Sequence, residues 1–146
     1  MADLRTFIVT AALVAAASGC MQPSVSATAA PGAAPASPAT AGQLFAKGCL
    51  QHLPSFAGTP AAIANDPITR RQSSGTYYHN TQNLSLKLLP GYCSVVFGTT
   101  GNTDDVINAF GTAASAAAPG VQADITLDFT PGPEGLTYYN ARVRAQ

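Results

Sequence analysis

Residues 121–130 read Val-Gln-Ala-Asp-Ile-Thr-Leu-Asp-Phe-Thr, and their alternation decides what kind of domain this chain forms. Val121, Ala123, Ile125, Leu127 and Phe129 fall on one side of an extended backbone, and Gln122, Asp124, Thr126, Asp128 and Thr130 on the other. Successive side chains of a strand point to opposite faces, so the stretch predicts an amphipathic β-strand with one face buried. Pro131-Gly132-Pro133-Glu134-Gly135 follows as a turn. Beyond it Tyr139, Ala141 and Val143 alternate with Asn140, Arg142 and Arg144, which makes the pair a hairpin.

Working back from the hairpin, Asn102-Thr103-Asp104-Asp105 is a helix start, with a side-chain cap and two carboxylates where the helix dipole favours negative charge. Val106, Ile107, Phe110, Ala113, Ala114 and Ala117 then recur at helical spacing as a buried face, and Pro119-Gly120 ends the run. Before it, residues 76–79 are rich in Thr and Tyr, and Leu84, Leu86 and Leu88 alternate with Ser85 and Lys87. After the Pro90-Gly91 turn, the nearly continuous apolar run Tyr92-Cys93-Ser94-Val95-Val96-Phe97 suits a central strand.

Further upstream, Thr40-Ala41-Gly42-Gln43 has the form of a capping box. Leu44, Phe45, Cys49, His52 and Leu53 supply one apolar helix face, and Pro54 stops it. Gly48 within that helix costs up to about 1 kcal/mol against Ala, which suggests either a second backbone passing close or a strain that is simply tolerated. A short helix over 59–64 and a turn at Asn65-Asp66-Pro67 complete the pattern. The order of elements predicts an α+β domain: a mostly antiparallel sheet of four to five strands, with helices packed on one side.

Residues 1–19 are of another kind. Arg5 precedes an apolar run from Phe7 to Ala17, followed by Ser18 and Gly19, which is the order of an export signal. The run is too short to span a hydrocarbon core, which takes about 20 residues. Ala17-Ser18-Gly19-Cys20 resembles the lipobox of bacterial lipoproteins, with Ala17 where that family usually has Leu. The resemblance implies lipidation of Cys20, cleavage just before it, and, because Met21 rather than Asp follows, sorting to the outer membrane with the chain facing the periplasm. Several acyl chains at roughly 0.8 kcal/mol per buried methylene would hold the protein to the membrane permanently. A plain secretory peptide cut after Ala17 is the alternative.

Residues 20–39 are almost wholly Ala, Pro, Ser and Thr without charge, so they offer little apolar surface to offset backbone ordering and predict a disordered tether of about 25–60 Å. The folded domain is expected over 40–146. Once Asp3 and Arg5 leave with the signal, the seven basic and seven acidic residues become six and six. A neutral domain without a basic stripe is no candidate for nucleic-acid binding.

Export to an oxidising compartment leaves Cys49 and Cys93 as the remaining thiols, and a disulfide between them is expected. Two rival readings use the same residues. Cys49, His52, His79 and Cys93 form a two-Cys, two-His set for zinc, and Cys49 with His79 as base and Asn80 or an Asp as orienter forms a nucleophile. No catalytic motif such as G-x-S-x-G is present, so neither a catalytic site nor a cofactor is assigned, and a non-enzymatic role is expected. Arg70, Arg71, Tyr77, Tyr78 and His79 are the most contact-like surface stretch, because Arg and aromatic residues are enriched at binding hot spots. Phe45, Cys49 and Leu50 together with Cys93-Ser94-Val95-Val96-Phe97 resemble motifs of small exported alphaproteobacterial proteins, a likeness that implies no activity. The expectation is a lipid-anchored envelope protein whose domain binds an envelope protein. The alternative is an inhibitor, for instance of a wall-degrading hydrolase, or a small-ligand-binding domain, which would show a concave apolar pocket rather than a flat surface carrying Tyr77 and Tyr78.

Overall fold

Alternation along the strands produces one sheet with an apolar side and a polar side. In a computed structural model, which describes residues 32–71, 75–119 and 123–145, the strands are β1 (Ile68–Arg71), β2 (Thr76–His79), β3 (Leu84–Leu89), β4 (Tyr92–Thr99), β5 (Ile125–Pro131) and β6 (Thr137–Arg144). They form a six-stranded, wholly antiparallel sheet in the order β1-β2-β3-β4-β6-β5. Helices α1 (Pro38–Gly48), α2 (Thr59–Ala62) and α3 (Thr103–Ala117) complete an α+β domain. The sixth strand is β1, whose Ile-Thr-Arg-Arg sequence carries no alternation to reveal it. Backbone pairing with β2, Ile68 opposite His79 and Thr69 opposite Tyr78, recruits it to the edge.

Leu84, Leu86, Cys93, Val95, Phe97, Tyr139, Ala141 and Val143 point from β3, β4 and β6 into the core, where Leu44, Phe45, Val106 and Phe110 of α1 and α3 meet them. A run of rings crosses this layer: Phe45 and Phe110 at 5.6 Å between centroids, Phe110 and Phe97 at 5.5 Å, and Phe97 and Tyr139 at 5.4 Å. Offset aromatic pairs at such separations contribute about 0.5–1.5 kcal/mol each beyond their burial. The Tyr139 hydroxyl shares a 3.0 Å hydrogen bond with Thr103, tying the start of α3 to β6.

Ordered structure begins before position 40. Ala34 bridges Gln82 and its amide donates to Thr81 O, and Ala36 is buried, so part of the expected tether belongs to the domain. The N-cap of α1 is Ser37, which accepts from the Thr40 amide at 3.0 Å, with Pro38 in the first turn; it replaces the Thr40 capping box. The signal segment, Cys20 and the tether up to residue 31 lie outside the described residues, as do Val121 and Gln122. The helix ends at Gly48, and a 3-10 turn over Leu50–His52 replaces the continuation towards Pro54. At Gly48 the close neighbour is the Leu86 side chain, which occupies the place a Cβ would take. The close backbone approach occurs at Gly42, where a Cβ would stand 3.0 Å from Ala109 O of α3. That contact lets α1 and α3 pack side by side.

Only Val106 and Phe110 of α3 are buried, and Ile107 is 53% exposed. The row Ile125, Leu127 and Phe129 of β5 also departs from the one-face-buried reading, since the helices cover β3, β4 and β6 and leave this edge strand largely open.

Cys49 and Cys93 are bonded, with Cα atoms 5.6 Å apart. The bond joins the residue following α1 to the sheet's centre. Closing a loop with a sequence separation of 44 contributes about 4 kcal/mol by the chain-entropy model. We expect Cys49→Ala and Cys93→Ala each to lower unfolding stability by roughly 2–5 kcal/mol in urea titrations, and the double substitution to cost little more than either single one.

Candidate functional site

The outer face of α1 and the start of β1 diverge enough to leave a cleft of about 230 Å³. Its floor is apolar. Leu84 is fully buried there, flanked by Leu44 of α1 and Ile68 of β1. Thr40 and Gln43 stand along the helix side, and Lys47, Asp66 and His79 bring charge and hydrogen-bonding capacity to the walls.

Lys47, Asp66 and His79 are each committed to an internal partner. Lys47 Nζ donates to Asp66 Oδ1 at 2.7 Å, with 42% and 26% of the two side chains exposed. A pair this open to solvent contributes about 0–1 kcal/mol to stability, so its value is in fixing two charges at the cleft. His79 is buried on the helix side of β2, and its Nδ1 accepts from the backbone amides of Thr81 at 3.2 Å and Gln82 at 3.0 Å. Two donors on Nδ1 place the ring proton on Nε2. Burial lowers the His79 pKa below its ordinary value of 6.5, and the nearby Asp66 carboxylate opposes that fall without cancelling it. The imidazole at neutral pH is thus a fixed neutral donor, with its one basic nitrogen occupied.

The sequence-derived contact stretch does not form one surface. Tyr77 lies opposite Leu86 and belongs to the core, whereas Tyr78, opposite Ser85, lies on the sheet's other face and is half-buried. His79 returns to the helix side and enters the cleft. Alternation along β2 separates three consecutive residues that in sequence read as a patch. Arg70 and Arg71 are in β1, opposite Tyr77 and Thr76, and their side chains lie outside the described part of the structure.

The zinc and nucleophile readings lose their sulfur atoms, because Cys49 and Cys93 are bonded to each other. His52 packs its ring over Gly58. Among the described residues no group of three or more His, Cys, Asp or Glu side chains is placed to hold a metal ion. Of the cleft residues, sequence reasoning singles out only His79 as a site residue; it reads Thr40, Gln43 and Asp66 as cap and turn, and gives Lys47 and Ile68 no site role. Only Lys47 and Asp66 bear charge, and their separation along the chain, 19 residues, follows no local period.

No protein-family model, no curated protein and no solved structure matches the chain.

The buried His79 gives a signed pH dependence. Its pKa is lowered on folding, so its stabilising contribution is complete above the unfolded value of about 6.5 and is lost as pH falls from there through the lowered native pKa. Protonation at Nδ1 would also evict the Thr81 and Gln82 amides. We expect His79→Leu to cost about 1–3 kcal/mol at pH 8, where it strands those two donors, and expect the gap to wild type to narrow as pH is lowered to 5. Urea titrations across that range check it; parallel pH profiles for the two proteins would contradict the assignment.

Proposed function

We propose that the chain is a non-enzymatic, lipid-anchored protein of the bacterial envelope whose folded domain binds a small ligand in the cleft between α1 and β1. The observation that carries this reading is the cleft itself: an apolar floor of Leu44, Ile68 and Leu84 beneath fixed polar groups of both charges and a neutral imidazole donor. An apolar recess with a few oriented polar groups is the usual form of a small-molecule site. At about 230 Å³ it falls below the roughly 300–1,000 Å³ of drug-sized sites, so the guest is fragment-sized.

Binding rather than turnover is supported by the state of the wall groups. The His79 nitrogen that would take a proton is engaged by two amides, and the cysteines nearest α1 are spent on the disulfide. The alternative of a protein-binding surface centred on Tyr77 and Tyr78 loses its footing, because the two side chains lie on opposite sides of the sheet. The anchor rests on the lipobox resemblance at Cys20. No helix among the described residues is long and apolar enough to cross a membrane, which is compatible with attachment by lipid.

One experiment reads both halves of the proposal. Protein extracted gently from its own envelope is weighed by native and then denaturing mass spectrometry, alongside Thr40→Trp, which fills the cleft rim. We expect the denatured chain to begin at Cys20 with acyl mass attached, and the native protein to carry a small-molecule adduct. Thr40→Trp should reduce adduct occupancy at least about tenfold, equivalent to 1.4 kcal/mol. An unacylated chain would contradict the anchor; equal adducts, or none, on both proteins would contradict the cleft.

A further inference from the structure

The edge strand β5 has the features that proteins ordinarily avoid on a free sheet edge. It runs seven residues, Ile125–Pro131, pairs with β6 throughout, and has no strand on its other side among the described residues. Natural edges are blunted by lysines, internal prolines, bulges or shortness. Here there is no lysine, the proline occupies the last position, and the pairing with β6 proceeds residue by residue without a bulge. Ile125 is 40% exposed and Phe129 61%, on the side of the sheet that elsewhere forms the core.

The neighbouring helix leaves the two ends of this row, Ile125 and Phe129, exposed, while Leu127 between them is half-buried. On α3, Val106 and Phe110 face the core and Ala109 meets α1 at Gly42. At about 100° per residue, the flank opposite Ala109, away from α1, carries Ile107, which is 53% exposed. On the other face of β5, Asp128 is paired with Arg142 of β6. Among the described residues the strand therefore offers backbone groups with no strand partner, an apolar row on one face, and on the other the solvent-exposed carboxylate of Asp128.

We propose that the occupant of this edge is a second copy of the chain, added antiparallel through β5 so that two six-stranded sheets become one. Charge selects the register. An antiparallel pair related by a two-fold axis places side chains of the same face opposite each other. With Leu127 opposite the second copy's Leu127, Ile125 faces Phe129, Thr126 faces Asp128 and Asp124 faces Thr130. Sliding by two residues one way sets Asp128 against Asp128; sliding the other way sets Asp124 against Asp128. Like charges directly opposed are destabilising, whereas aromatic and β-branched pairs are favourable, so the Leu127-centred register alone of the three joins the apolar rows without opposing carboxylates.

Cysteine cross-linking tests the register and sedimentation tests the association. All variants are made in the full chain carrying Cys20→Ser, which removes the one cysteine outside the Cys49–Cys93 bond. The parent protein is expected to sediment as a concentration-dependent dimer at tens of micromolar, and Phe129→Lys, at an exposed position, to weaken dimerisation at least tenfold. Under mild oxidation Leu127→Cys should link to itself, and a mixture of Ile125→Cys with Phe129→Cys should form the mixed dimer. Phe129→Cys alone should link at least tenfold less, because in this register its two copies are four residues, about 14 Å, apart. A monomer at every concentration overturns the proposal, including one whose β5 amides resist hydrogen exchange because another part of the chain covers them. Self-linking of Phe129→Cys as efficient as that of Leu127→Cys overturns the register. If Leu127→Cys does not fold, judged by circular dichroism, parent sedimentation and the Ile125→Cys and Phe129→Cys mixture decide.

Discussion

The bond between Cys49 and Cys93 holds the end of an eleven-residue helix against the middle strand of the sheet, and the placement of α1 depends on that junction. A helix of this length is marginal by itself in water, so its position must come from tertiary contacts. At the junction Leu86 fills the space beside Gly48, and the Gly48 carbonyl accepts the buried Thr59 hydroxyl, which seats α2. Farther along α1, Phe45 enters the aromatic run that reaches Tyr139 through Phe110 and Phe97. The bond and the ring stack fix two points on the helix, and two points are enough to orient an axis.

That orientation has a chemical consequence on the outer side. Because α1 is pinned over β3 and β4, Thr40, Leu44 and Lys47 line one side of a recess whose other side is formed by Asp66 and Ile68. The space between is the cleft. Lys47 and Asp66 reach each other at its mouth, and His79 is held in one tautomer by backbone amides that follow β2. A group oriented by the protein before a guest arrives loses little freedom on binding, and rigid presentation of few groups favours selectivity over breadth.

Much of the architecture was legible in alternation and in turn chemistry, since both report local physics. The strands containing Leu84, Leu127 and Ala141 are readable at period two and the one containing Val95 as a continuous apolar run, and the Asn102 cap is realised as a 2.8 Å bond from the Asp105 amide. What alternation could not say is which apolar face gains a cover. Leu86 and Leu127 look alike in sequence; α1 lies over the first, and the second stays half-buried at the sheet edge. β1 was invisible because its pairing is through backbone, which carries no side-chain signature. The cleft was hidden for a related reason. It joins residues of α1 to the turn before β1 and to single end residues of β1, β2 and β3, and of its polar groups only His79 stands out in the sequence, beside tyrosines that strand geometry sends elsewhere.

The placement of α1, and with it the cleft wall, depends on the Cys49–Cys93 bond. Amide hydrogen exchange on the oxidised protein and on the same protein after reduction measures this directly. Reduction is predicted to speed exchange of the α1 amides at Leu44, Phe45 and Lys47 by at least about tenfold, with smaller changes for amides of β4 and β6, whose pairing does not pass through the bond. Equal protection of α1 before and after reduction would show that packing alone holds the helix, and would contradict the claim.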